Sequence, residues 1–316
     1  MKLQTQIPYT KQSHNQIDYN SKVLLLGSCF SENIGEKFEY FKFQSTINPF
    51  GILFHPLAIE NLITRAINKD YYTEEDIDFY NEQWYCLDAH SRLNSISKKA
   101  LLTYLNNALD ITNKQISEST HIAITLGTSW VYRHIALDAI VANCHKLPQK
   151  QFLKELLSVE QISESLKAII SLVSAINPKV NFIFTVSPVR HIKDGFVENT
   201  RSKSHLIAAI HKIVEPRKQL YYFPSYEIMM DELRDYRFYN SDMLHPNKVA
   251  IDYIWEKFKH IWISEHTAPT MQDVDTIKKG LKHKPFNAKS QAHQKFIAKL
   301  QSQIKDLREN YPHFKF

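Results

Sequence analysis

The chain has 316 residues, enough for one large domain with an insertion or an appended unit. Its 43% hydrophobic and 23% charged content is that of a soluble globular protein and excludes a disordered or fibrous chain. The formal charge of +6 gathers past residue 265 rather than in an arginine-aromatic stripe, so no nucleic-acid partner is expected. The N-terminal residues contain no apolar segment of signal-peptide length, and no later run approaches the roughly 20 apolar residues of a membrane span. Three cysteines, Cys29, Cys86 and Cys144, share no CxxC spacing, which argues against a disulfide framework or a four-ligand zinc site. A reducing, cytoplasmic location without a membrane partner is the expectation.

In chain order, Lys22 to Leu26 is a short apolar run ended by Gly27, followed by Phe30, Ile34 and Phe38 at helical spacing. This reads as strand, tight turn, helix. Residues 57 to 120 carry helical patterns and the aromatic stretch Phe79 to Tyr85, too long for a simple connection, and read as an insertion capping a site. A second apolar run, His121 to Leu126, ends at Gly127, and a third, Val180 to Val186, ends at Ser187-Pro188. Between them Ser158 and Gln161 form a capping-box pattern for a helix with Ile162, Leu166, Ile169 and Val173 on one face. A helix over Asn199 to Val214, a strand over Leu220 to Phe223 and a helix from Pro246 to Ile263 complete the core, with Pro246 suited to a first helical turn. From 265 to 316 the chain is basic, with Phe296, Leu300, Ile304 and Leu307 on one stripe.

Strands alternating with helices predict a Rossmann-like, three-layer α/β domain over 1–264 with a mostly parallel sheet, followed by a helical extension over 265–316. Sites of such sheets lie beyond the carboxyl ends of the strands. Only six glycines occur, and Gly27, Gly51, Gly127 and Gly195 follow or lie near the apolar runs, where a backbone must turn sharply or approach a ligand.

The segment Leu26-Gly27-Ser28-Cys29-Phe30-Ser31 resembles the signature of the GSCFA family, which takes its name from this motif and is related to the SGNH, or GDSL, esterase superfamily. The resemblance continues through Asn48-Pro49-Phe50-Gly51, the Thr125 to Trp130 stretch, Asn143-Cys144-His145-Lys146, Ser187 to His191 and Asp242-Met243-Leu244-His245-Pro246. It implies an SGNH-like fold, a nucleophile just after the first strand, and a late Asp-x-x-His supplying a base and its orienter. The register of the turn favours Cys29 as nucleophile over Ser28. A thiol at a helix N-terminus suits that role, because backbone N–H groups and the dipole favour the thiolate.

Asp242 and His245, three apart, allow the carboxylate to hold one ring nitrogen while the other carries the proton. The alternative use of these residues is to cap the helix that follows. For the oxyanion the implied donors are Cys29, Gly51, Gly127, Thr128 and Ser129. The superfamily's oxyanion asparagine has no clear counterpart in the Gly127 turn. Trp130, Asn143, His145, Arg190 and His191 are the expected substrate contacts. The activity so implied is hydrolysis of an acyl or acetyl ester, or O-acyl transfer to a carbohydrate from a donor such as acyl-CoA, with Lys146, Arg190 and Lys193 as candidate phosphate contacts. The chain lacks a Walker or dinucleotide glycine pattern, and hydrolysis needs neither cofactor nor metal. A non-catalytic carbohydrate- or ligand-binding role on the same fold is the rival reading.

Overall fold

The computed structural model describes residues 5–287 and 289–316. Five strands form the central sheet: β1 (Lys22–Gly27), β2 (Gln44–Ile47), β5 (His121–Leu126), β9 (Asn181–Val186) and β10 (Leu220–Tyr222). All neighbours pair in parallel, in the order β10-β9-β5-β1-β2. The chain therefore winds from β1 to one side through β2, then crosses back to β5 and onward. Such a sheet has a switch point between β1 and β5, the place where doubly wound proteins bind ligands beyond the strand ends.

The continuous apolar runs become strands because both faces of the sheet are covered. Leu24 and Leu26 of β1, Ile122 and Ile124 of β5, and Phe182 and Phe184 of β9 point into one core. That core is closed by helices α2 (Pro56–Asn68), α3 (Lys98–Glu118), α4 (Val159–Ile176) and α5 (Phe196–His211). The alternate residues Val23, Leu25, Ala123 and Ile183 point into a second core, against α1 (Cys29–Tyr40) and the helix Lys248–Trp262. Within 57–120, α2 and α3 thus contribute Leu62, Ile63, Leu101 and Leu105 to the same core as the sheet.

Between α2 and α3 the aromatic stretch forms a hairpin, β3 (Asp78–Tyr80) with β4 (Gln83–Tyr85). Its turn, Asn81-Glu82, has φ of 47° and 60°, the doubly left-handed geometry that matches strand twist. A second, antiparallel sheet orders β7 (Ala139–Val141), β6 (Trp130–His134) and β8 (Phe152–Leu156) after the Gly127 turn.

The late helix starts two residues beyond the expected Pro246. Asn247 is its N-cap, its side chain accepting from Ala250 N at 3.1 Å, while Pro246 forms an isolated bridge with Tyr239. An asparagine oxygen satisfies an orphan helix donor, which proline cannot do, so the cap fixes the boundary. In the extension, helices Ala268–Lys282 and Gln291–Asn310 pack together. Leu300, Leu307 and Phe314 join the α1-side core, where Phe314 meets the Tyr19 ring edge-on at 5.1 Å. Among the described residues no helix is long and apolar enough to cross a membrane.

Candidate active site

The site begins at the end of β1. Gly27 has φ 127°, and a Cβ there would lie 2.1 Å from Thr125 O, so only glycine permits β1 to turn this close to β5. Ser28 then caps α1: it is buried, and its Oγ accepts from Phe30 N at 3.3 Å. Ser31 N donates to Ser28 O at 2.9 Å. Among the described residues the N–H of Cys29, in the first turn, has no backbone or cap partner. Cys29 is the first residue of the helix and is only partly buried. Burial, and then the Glu32 charge, raise its thiol above the ordinary value, while Lys203 and the N–H groups of Cys29 and Phe30 pull the other way.

Asp242 and His245 form the second component. His245 Nδ1 lies 2.6 Å from Asp242 Oδ2, and Asp242 Oδ1 accepts from the backbone N–H of Leu244 at 2.8 Å and His245 at 3.0 Å. These donors, the two backbone bonds first, hold the Asp242 carboxyl down at about 2. The ring tautomer is thereby set with Nδ1 toward the carboxylate, leaving Nε2 for proton transfer. Among the described residues His245 Nε2 has no hydrogen-bond partner. Met243 takes φ 59°, and Arg190 anchors the loop, donating from Nη2 to Met243 O at 2.7 Å while its guanidinium lies 4.4 Å over the Tyr239 ring.

The implied oxyanion donors beyond Cys29 are engaged elsewhere. Gly51 N donates to Asn48 O at 2.7 Å, and Gly127 N and Thr128 N both donate to Phe54 O, at 2.7 and 3.2 Å. Ser129 N donates to Ser202 Oγ at 2.8 Å, and its own Oγ donates to Ser202 O at 3.1 Å. Thr128 Oγ1 lies 3.1 Å from Ser202 Oγ and accepts from Trp130 N. In this structure these groups build the turns around the site. Asn48, buried with φ 40°, braces the Gly27–Phe30 turn from the end of β2, its Oδ1 accepting from Gly27 N at 2.9 Å. Among the described residues its buried Nδ2 has no partner.

Of the expected substrate contacts, Trp130 and Asn143 line one cavity of about 230 Å³ with Phe54, Thr128, Val141 and Cys144. The Trp130 ring N–H donates to Glu198 O at 3.2 Å. Phe54 lines this cavity, its carbonyl accepts from Gly127 N at 2.7 Å, and its ring meets His191 edge-on at 6.0 Å. His191 is kept neutral at physiological pH: burial first, then the charges of Lys203 and His245, push its ring down to about 4. His145 is buried against the Tyr85 ring at 4.9 Å, and burial lowers it to about 4. His55 caps α2, accepting from Ala58 N and pairing with Val141 O.

Sequence reasoning passed over Lys203. It lies on the buried face of α5 with Asn199 and Leu206, is 1% exposed, and donates from Nζ to Gly127 O and Ser187 O, both at 2.7 Å. The one signal is its position three and seven residues before Leu206 and Ile210, on an otherwise apolar stripe.

A mostly parallel sheet flanked by helices, with a thiol in the first turn of α1 and an Asp-His pair in a later loop, defines a doubly wound α/β protein. The chain belongs to the GSCFA family, whose model matches residues 22–258, and the family's C-terminal domain matches residues 274–316. No curated protein matches the chain. Among solved structures it is similar to a carbohydrate esterase family 3 protein from Talaromyces cellulolyticus, at 9% identity over 80% of this chain and 99% of that one, TM-score 0.37. It is similar also to a mutant acetyl esterase with an acetate ion, at 12% identity over 80% of this chain and 99% of that one, TM-score 0.32.

Proposed function

We propose that this protein cleaves small acyl esters through an acyl-Cys29 intermediate, in the manner of an SGNH-type esterase with a thiol nucleophile. The observation that carries the reading is the Asp242–His245 pair, bonded at 2.6 Å with Nε2 unengaged among the described residues, in a chain whose first strand ends at a partly exposed, helix-capped thiol. His245 Nε2 takes the thiol proton as the Cys29 sulfur attacks the ester carbonyl, a C–S bond forms, and the carbonyl electron pair moves onto oxygen, beside the Cys29 N–H. The C–O bond to the alcohol breaks as His245 gives it a proton from Nε2. Water then attacks the thioester as His245 Nε2 takes its proton, and the C–S bond breaks as that proton passes to the Cys29 sulfur, releasing the carboxylic acid and restoring the thiol. Asp242 holds the imidazole in the tautomer this requires.

Ser28 is the weaker nucleophile candidate because its oxygen is buried and serves as the cap of α1. The cavity beside Phe54, with Trp130, Val131 and Val141 on its walls, supports a short acyl group. The exposed side of His245 sets no comparable limit on the alcohol, which suits a sugar hydroxyl as leaving group. Arg190 Nη2 is held by Met243 O and its guanidinium lies over Tyr239, so this side chain serves to anchor the Asp242–His245 loop.

The test is hydrolysis of a short aryl acetate by the wild type, Cys29→Ala, Ser28→Ala and His245→Ala, each checked for a native melt. Loss of turnover in Cys29→Ala and His245→Ala with activity retained in Ser28→Ala is expected. Activity retained in Cys29→Ala and lost in Ser28→Ala moves the nucleophile to the serine. One observation favours ligand binding without turnover, namely that the Gly51, Gly127, Thr128 and Ser129 donors are engaged. Its signature is a wild type that neither hydrolyses nor acylates, with ester binding preserved in His245→Ala.

A further inference from the structure

We propose that Lys203 is the positioning residue of the Cys29 thiolate, its ammonium fixed on the Gly127 and Ser187 carbonyls to supply the positive charge against which that anion forms. The catalytic meaning of the pair rests on Cys29 being the nucleophile; the charge pairing itself does not. A lysine this deeply buried is costly unless paired, because its charge loses hydration. The two carbonyls at 2.7 Å satisfy two of its N–H donors but do not neutralise it. Among the described residues Lys203 has no carboxylate partner within salt-bridge reach, and the titratable group whose ionised form would hold it charged is the Cys29 thiol.

Placement supports the same assignment. Gly127 and Ser187 follow β5 and β9 directly, and a Cβ on Gly127 would stand 3.4 Å from Ser28 Cβ. The carbonyl that holds Nζ therefore belongs to a residue packed against the nucleophile turn. The other groups facing the pair are few. Glu32 on α1 opposes the thiolate and is drawn aside by Arg92 at 2.8 Å. His191 faces Lys203 as a neutral ring, and the Tyr226 ring lies 5.7 Å from Nζ. Burial brings the Lys203 ammonium down to about 7, with the Cys29 charge pulling it back up. Such a pair titrates as a unit, each member favouring the charged form of the other.

The pair is read directly by the pH dependence of Cys29 alkylation with iodoacetamide, followed on the Cys29 peptide by mass spectrometry in the full-length wild type, Lys203→Met and Lys203→Arg. The midpoint is expected to rise by about one pH unit in Lys203→Met, an about tenfold slower alkylation at neutral pH, and to recover in Lys203→Arg. An unchanged midpoint in a natively melting Lys203→Met overturns the proposal. Should Lys203→Met fail to fold, the reciprocal measurement uses Cys29→Ala with ζ-¹⁵N-labelled lysine: the Lys203 resonance should titrate at lower pH than in the wild type, and an unshifted midpoint overturns the proposal. Neither readout needs turnover. Ester hydrolysis surviving in Cys29→Ala would remove the nucleophile reading alone and leave the pair standing.

Discussion

Ser28 and Cys29 are neighbours in the chain, yet one helix cap gives them different chemistry. The serine oxygen, buried and turned to Phe30 N, does the structural work of starting α1, and the next side chain is left at the helix mouth. Ser28→Ala should accordingly cost about 1 kcal/mol of stability in urea melts, the usual worth of a lost cap, while leaving a measurable rate. Gly27→Ala is a harsher change, since φ 127° and the Thr125 carbonyl both exclude a Cβ. A loss of about 2 kcal/mol or more in the same melts is expected. Asp242→Asn keeps the shape of the loop but presents the wrong hydrogen-bonding pattern to His245, so kcat on an aryl acetate should fall by about 100-fold or more with an unchanged melt. At this scale the motif turn and the Asp-x-x-His were legible because each is a run of adjacent residues. Lys203 was not, since Arg201, Lys203 and His205 alternate like a solvated surface and only the fold shows that the middle one points inward.

At the scale of elements, β1, β5 and β9 are legible as unbroken apolar runs because helices cover both faces of the sheet, and α4 because its capping box and apolar stripe agree. The β6-β7-β8 sheet escaped the sequence reading. Its strands mix Tyr132, Arg133, Lys154 and Glu155 with short apolar stretches, and the β6–β8 register comes from pairing between residues far apart in the chain, such as Arg133 with Leu153 and Val131 with Glu155. Pro246 misled the helix boundary because proline and asparagine both suit a helix start, and only the Asn247 bond to Ala250 N decides between them. Helix α5 carries a pH prediction through Lys203. A lysine lowered to about 7 binds fewer protons in the folded than in the unfolded chain between that value and the ordinary lysine range. The destabilisation is therefore full below about 7 and fades as pH rises toward about 10. Urea melts relative to Lys203→Met should show the wild type gaining stability as pH rises above about 7, and gaining it at lower pH in a Cys29→Ala background, where no thiolate holds the ammonium charged.

For the molecule as a whole, the two cores divide the work. The α2–α5 side carries the hairpins and the cavity, and the α1 side is completed by the C-terminal extension. Phe314, almost the last residue, is 2% exposed against Tyr19 and Tyr311, which ties the chain's end to the approach to β1. Phe314→Ala should cost about 3–5 kcal/mol and appear as a lower thermal midpoint of the whole protein rather than as release of the extension alone. The strand order puts β1 and β5 at the switch point, and the Gly27–Phe30 turn, the Gly127 carbonyl and Lys203 meet beyond it. The central claim, that Cys29 carries the acyl group, is tested most directly by mixing the protein with an aryl acetate, quenching in acid and mapping the adduct by mass spectrometry. The account predicts an acetyl group on the Cys29 peptide, trapped more heavily in His245→Gln, where the thioester is deprived of its base. An acetyl group on Ser28, or steady hydrolysis by Cys29→Ala, would contradict it.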